Sequence, residues 1–196
     1  MPDPSPVPEV IDLGETFVLT RARVGDERWI AAAVEESFDH LHPWMEWATP
    51  EQTSFDAQSS RMARVDGDWD RGEEYQYLVR EGRDPRVLGS AGLIRRSVER
   101  VGMPAWEIGY WTHVDWCRRG LATRSARALV DLAFGFAGTE AVVIRCDEGN
   151  VASAAIPRAL GFTLHSVVDA PVDTPKAAPA HTGRDMVWLL RRAGGS

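Results

Sequence analysis

Cysteine is scarce in this 196-residue chain, lysine scarcer still, and no apolar run approaches the length of a membrane span. Two cysteines, Cys117 and Cys146, cannot form the spaced framework that staples a small secreted domain, so the composition points to a reducing, cytoplasmic compartment. A bilayer helix needs about 18 consecutive apolar residues, and with none present no membrane role is expected. Positive charge is in short supply as well: 29 Asp and Glu against 22 Lys and Arg, only one of them lysine, leave a formal charge of -7. Backbone phosphates demand a net basic face, which argues against nucleic acid as the ligand and means that any anionic small molecule needs a local positive site. The opening "MPDPSPVPEV" has four prolines and neither a basic nor an apolar segment. It reads as a leader without structure over residues 1–14, ahead of a single domain over 15–193.

What is there is an ordinary globular composition, 44% hydrophobic and 26% charged. Residues 16–23, "TFVLTRAR", alternate as a strand does, and "GDERWIAAAVEESFDHL" places Trp29, Ile30, Ala33, Val34 and Phe38 at helical spacing. A loop, "HPWMEWATPEQ", leads to a weaker helix in 52–72. Strands are predicted over 75–82, 87–96 and 105–114, then a helix over 121–136, the apolar strand "AVVIRC", a helix over 151–160, and strands over 162–168 and 184–192. Strands first and helices interleaved later imply an α/β or α+β sheet covered by helices.

The stretch "WCRRGLAT", residues 116–123, stands between the strand "EIGYW" and a helix. A helix start leaves amide N–H groups unpartnered and carries about half a positive charge, which makes it an anion site. Gly120 lets a ligand approach the main chain, and Ala122 keeps the next position small. Arg118, Arg119 and Arg124 add guanidiniums suited to phosphate oxygens. The stretch can therefore seat a diphosphate, although a solvated basic edge at a simple turn explains it as well. The P-loop pattern G-x-x-x-x-G-K-[ST] and the dinucleotide fingerprint G-x-G-x-x-G are both absent.

A second segment, "NVASAAIPRALGF", has Asn150 at a helix N-cap, Ser153 in the first turn and a glycine stop. Together, "EIGYWTHVDWCRRGLAT" and "NVASAAIPRALGF" resemble the GCN5-related N-acetyltransferases, most closely the RimJ/RimL-type branch, which acetylates protein N-terminal amines. The resemblance covers residues 16–192 and implies a mixed, mostly antiparallel sheet, splayed between its fourth and fifth strands, with helices on both faces. In "CRRGLA" the family's [QR]-x-x-G-x-[GA] retains Gly120 and Ala122, with Cys117 in place of the usual Gln or Arg. The cosubstrate implied is acetyl-CoA or another acyl-CoA. The resemblance places the pyrophosphate on Arg118, Arg119, Gly120, Leu121, Ala122 and Thr123, the pantetheine arm beside the backbone of Thr112 and Val114, and Asn150 at the site.

For the chemistry, N-x-x-S in the branch matches Asn150 to Ser153, which makes Ser153 the candidate partner of the leaving thiolate; a first-turn serine bonded to its own backbone is the plainer alternative. Where other relatives carry a Tyr acid this chain has Pro157, which removes the amide that would bond the Ser153 carbonyl and should distort the helix, leaving that carbonyl to ligand or water. Glu107 is the candidate base, with a salt-bridged surface Glu as its alternative, and the branch's own carboxylate is matched only by a shift to Asp169 or Asp173. His40 and His42 lack further ligands, so no metal is expected. The acceptor is a protein N-terminus or a small-molecule amine. The acidic set Glu35, Glu36, Asp39, Glu46 and Glu51 favours a cationic one. A noncatalytic acyl-CoA sensor is the alternative to an enzyme, and the surplus of tryptophan leaves an acceptor groove or a homodimer surface open.

Overall fold

The computed structural model describes residues 7–95, 101–169 and 178–192. Eight strands form one sheet in the order β1-β2-β3-β4-β5-β6-β8-β7, antiparallel throughout except for the parallel neighbours β5 and β6. They are β1 (Val10–Asp12), β2 (Phe17–Arg21), β3 (Glu74–Glu81), β4 (Gly89–Ile94), β5 (Ala105–Thr112), β6 (Ala141–Asp147), β7 (Thr163–Asp169) and β8 (Arg184–Arg191). Helices α1 (Glu27–Glu36), α2 (Phe38–Leu41) and α3 (Phe55–Asp70) precede β3. Helix α4 (Leu121–Gly135) joins β5 to β6, and α5 (Val151–Ala159) follows β6.

Period decides which face each element buries. In α4, Leu121, Ser125, Ala126, Leu129, Val130 and Ala133 recur every three to five residues and are buried, with Leu129 meeting Ile108 and Ile144 in one core. On the opposite face Ile30, Ala33 and Val34 of α1 and Met62 and Val65 of α3 close over Leu78 and Trp111. Each such fully buried aliphatic side chain contributes about 1.5–3 kcal/mol. Strand β6 is covered on both sides, Val142 and Ile144 in one cluster and Ala141 and Val143 in another, as an unbroken apolar strand should be.

Two expectations need correction. Val10–Asp12, assigned to the leader, pair antiparallel with β2, and the chain before them is held by Tyr77, whose hydroxyl donates to Pro8 O at 2.7 Å. The prolines end at residue 8, so these residues have amides for a ladder; residues 1–6 lie outside the described residues. The single helix expected over 25–41 is two, because Ser37 (φ −102°, ψ 8°) leaves helical geometry and its Oγ accepts the N–H of Val114 at 3.1 Å.

The sheet opens where the site lies. Strands β5 and β6 pair only from Ala105↔Ala141 to Ile108↔Ile144, while β5 stays paired with β4 as far as Thr112. Past Ile108 its other edge has no strand neighbour among the described residues, and α5 starts just beyond the end of β6. Sites of α/β sheets collect at such carboxyl ends of parallel strands.

Candidate active site

After β5 a 3-10 turn over Val114–Trp116 reverses the chain into α4. Arg118 (φ 62°) and Gly120 (φ 77°) both take left-handed backbone angles, the second as the N-cap of the helix. Among the described residues nothing accepts from the N–H groups of Gly120, Leu121, Ala122 and Thr123; the first helical bond runs from Arg124 N to Gly120 O at 2.9 Å. Leu121 anchors the turn, its side chain 1% exposed. The surrounding cations are partly engaged: Arg119 lies over the Trp116 ring at 4.5 Å, and Arg124 pairs with Glu15 at 2.7 Å, which holds that carboxyl below the usual carboxylate range. Cys117 Sγ sits 3.3 Å from His40 Nε2, and loss of water, with Asp115 nearby, pushes its thiol up.

At the splay, His113 N–H donates to Leu88 O, so by the alternation of strand amides Thr112 and Tyr110 turn their backbone groups to the open edge. Asn150 Oδ1 caps α5 by accepting the N–H of Ser153 at 3.0 Å. The Tyr110 hydroxyl lies 3.2 Å from both the carbonyl oxygen and Oγ of Ser153. Pro157, lacking an N–H, leaves that carbonyl without its helical donor, and Tyr110 supplies one. The helix continues through Pro157, and the carbonyl, expected to face ligand or water, instead accepts from a side chain. Burial pushes the Tyr110 phenol far above its ordinary value, the bond to Ser153 acting the other way. Cys146, beside Ser153 and Trp188, is raised by burial too.

A cleft of about 800 Å³ opens beside this cluster. Its floor is β4 and β5, where Gly92 pairs with Gly109 and a Cβ at Gly109 would meet only open space. Trp44, Met45 and Trp47 form one wall, Arg61 and Arg64 of α3 another, and Arg145, Asp147, Asn150 and Ser153 the end next to the splay. The tryptophan wall is tied to the chain before β8: Ala180 N donates to Pro43 O at 2.9 Å, and His181 Nε2 donates to Trp44 O at 2.9 Å. Asp147 accepts from Thr182 N (2.8 Å), Thr182 Oγ1 (3.1 Å) and Gly149 N (2.8 Å).

A family model described as an acetyltransferase (GNAT) domain matches residues 18–163. The chain belongs to the GNAT acetyltransferase family. No curated protein matches this acetyltransferase. Among solved structures it is similar to the microcin C7 self-immunity acetyltransferase MccE in complex with acetyl-CoA and AMP (TM-score 0.80, 15% identity, covering 97% of this chain and 100% of that one). It is similar also to RimL, the ribosomal L7/L12 α-N-protein acetyltransferase, with coenzyme A (TM-score 0.79, 19% identity, 93% and 98% covered). A third relative is the ribosomal-protein-S5-alanine acetyltransferase of Vibrio fischeri (TM-score 0.79, 15% identity, 93% and 96% covered). The splayed mixed sheet is the fold shared with these proteins.

Several residues singled out in the acetyltransferase sequence come together, and others do not. Gly120–Thr123 form one open turn, and Asn150 and Ser153 stand on the cleft wall. Val114 does not join Thr112 at the open edge, because its N–H goes to Ser37 and its carbonyl accepts Cys117 N. Glu107 is not on the cleft wall; its carboxylate takes Arg145 Nε at 3.1 Å, the salt-bridged alternative. Asp169 ends β7 away from the cleft, and Asp173 lies outside the described residues. The acidic set does not line the cleft: Glu35, Glu36 and Asp39 surround a separate hollow of about 360 Å³, since α1 turns its apolar face to the sheet. Tyr110, Arg61, Arg145 and Asp147 were missed. Tyr110 was legible in principle, as the alternating partner of Ile108 beside a proline that orphans a carbonyl; the others depend on tertiary placement.

Proposed function

We propose that this acetyltransferase moves an acetyl group from acetyl-CoA to the α-amine at a protein N-terminus, by direct attack within a ternary complex. The observation that carries the reading is the turn at Gly120–Thr123, four adjacent amides without acceptors at a helix start, next to a β5 edge that has lost its strand neighbour. Those amides suit the pyrophosphate, with Arg118 and Arg119 beside it, and the open backbone of Thr112 suits the amides of the pantetheine arm. Acetyl-CoA supplies an activated thioester.

The chain's own residues account for the remaining steps. The amine nitrogen bonds to the thioester carbonyl carbon, the carbon–sulfur bond breaks, and the departing sulfur takes a hydrogen bond from Ser153 Oγ. Tyr110, which donates to the Ser153 carbonyl, fixes the first turn that carries that hydroxyl. Glu107 is held by Arg145 and lies off the cleft wall, so the proton that the amine loses passes to water in the open cleft. A strong base is not required for an α-amine, with pKa about 7.7–8.0, of which about a tenth is neutral at pH 7. The open floor at Gly109 leaves room for an extended peptide end. The names of RimL and of the Vibrio fischeri relative, both ribosomal-protein acetyltransferases, support the same class. A small-molecule amine is the second reading, favoured by Trp44 and Trp47 as stacking surfaces and by the AMP bound in MccE.

Thiol release from acetyl-CoA, with mass detection of the acetylated amine, tests both. An N-terminal acceptor predicts kcat/KM rising about tenfold per pH unit below pH 7.5 and levelling off above about 8. A rise that continues to about pH 10 points to a lysine-like amine, and no amine-dependent thiol release overturns the enzyme reading in favour of a sensor.

A further inference from the structure

The cleft wall carries three arginines, Arg61, Arg64 and Arg145, and two carboxylates, Glu74 and Asp147. Arg64 pairs with Asp68 and with Glu74 at 3.2 Å. Arg145 is held between Glu107 and Asp185, each at 3.1 Å. Asp147 is satisfied by Thr182 and Gly149. Asp147 thus keeps its charge against neutral donors alone, and among the three cations only Arg61 has no carboxylate in contact. Arg61 forms no hydrogen bond or ion pair with any described residue; its guanidinium lies 5.4 Å from the centroid of the Trp47 ring. Loss of surrounding water lowers its pKa, Glu74 opposing and Arg64 adding to the effect, yet an arginine keeps its charge at neutral pH.

A half-buried cation over an aromatic face, inside the cleft and without a hydrogen bond or ion pair among the described residues, is a receptor for an anion. Its planar fork can give an incoming carboxylate two parallel N–H donors. Arg61 lines the same cleft as Gly109 and Ser153, so a ligand spanning it has one end at the reacting centre and the other at Arg61. Extended peptide reaches about 3.3–3.6 Å per residue, so a cleft of about 800 Å³ takes only the first few residues of a peptide end.

Resting on the N-terminal reading above, we infer that the acceptor carries a carboxylate within its first three residues and that Arg61 is the group that recognises it. The preference is thus for an acidic N-terminus, the opposite of the cationic acceptor that the acidic residues of α1 and the following loop suggest from sequence.

The test uses the full chain, acetyl-CoA and hexapeptides that differ only in Glu, Gln or Lys at positions one, two or three. The expected result is a kcat/KM at least about tenfold higher for Glu than for Gln at one of these positions, with Lys lowest. Arg61→Gln abolishes the difference by raising KM for the Glu peptide while kcat holds, and Arg61→Lys keeps part of it. Thermal protection by coenzyme A equal to that of the unmodified protein shows that both variants are folded. Equal kcat/KM for Glu, Gln and Lys at all three positions overturns the inference, as does a Glu preference that survives in Arg61→Gln. If peptides are refused and free amino acids accepted, the N-terminal reading fails by itself. The carboxylate reading is then decided by alanine against alaninamide: faster alanine supports it and equal rates overturn it.

Discussion

The turn that opens α4 and the cleft between α3 and β5 differ in what they are made of. The turn offers main-chain amides from four consecutive residues, set by the left-handed backbone of Gly120 and by a helix that cannot use its own first donors. The cleft is a set of side chains brought together from the loop after α2, from α3, and from β5, β6 and the start of α5. A main-chain site survives replacement of most side chains in its segment, so Cys117 at the position that the resemblance gives to Gln or Arg is expected to leave it intact. A side-chain site changes its ligand with one substitution. On the proposed reading, the common part of the substrate pair falls to the turn and the variable part to the cleft.

The sharpest way to break this contrast is Gly120→Val. A β-branched residue at φ 77° is strained by about 1–2 kcal/mol and displaces an amide from the ligand, so coenzyme A binding measured by calorimetry should weaken about a hundredfold. Melting should fall by only a few degrees. If binding is kept, the main chain is not what holds the ligand. Ser153→Ala comes next: kcat should fall about tenfold with KM for acetyl-CoA unchanged, as expected for one hydrogen bond made at the departing sulfur. A change in KM alone would return Ser153 to a purely capping role.

Tyr110→Phe removes the donor to the Ser153 carbonyl and should cost about 1–3 kcal/mol in chemical denaturation. Adding Pro157→Ala gives that carbonyl back a helical amide, so the double variant should lose clearly less than Tyr110→Phe alone. Additive losses would mean that the proline and the tyrosine are unconnected. The smallest effect belongs to Glu15→Gln. Freed from Glu15, Arg124 should tighten coenzyme A binding about twofold at low salt, with the gain vanishing at high salt and the melting temperature unchanged.

The same contrast explains what could be read before the structure was known. Seven of the eight strands follow from alternation or from an apolar run, and α4 from its three-to-five-residue spacing, because these are local patterns. The amide turn was legible for the same reason: "RRGLA" carries its geometry in neighbouring residues. Strand β1 was hidden behind the prolines before it, and the break at Ser37 depends on Val114, 77 residues away. Glu107 stood on a promising strand, but its pairing with Arg145 joins two strands that meet only in the folded sheet. Arg61 looked like any polar residue of a weak helix. What sets it apart is the lack of a partner, which no local pattern records.

The four-residue contact between β5 and β6 has a mechanical meaning. Beyond Ile108 the two wings of the molecule are bridged by helix packing, by the Tyr110–Ser153 bond and by the ties of Ala180 to Pro43 and of His181 to Trp44, which leaves a slot fastened at both ends. On the proposed reading, an elongated guest lying in that slot takes the place of the missing strand neighbour.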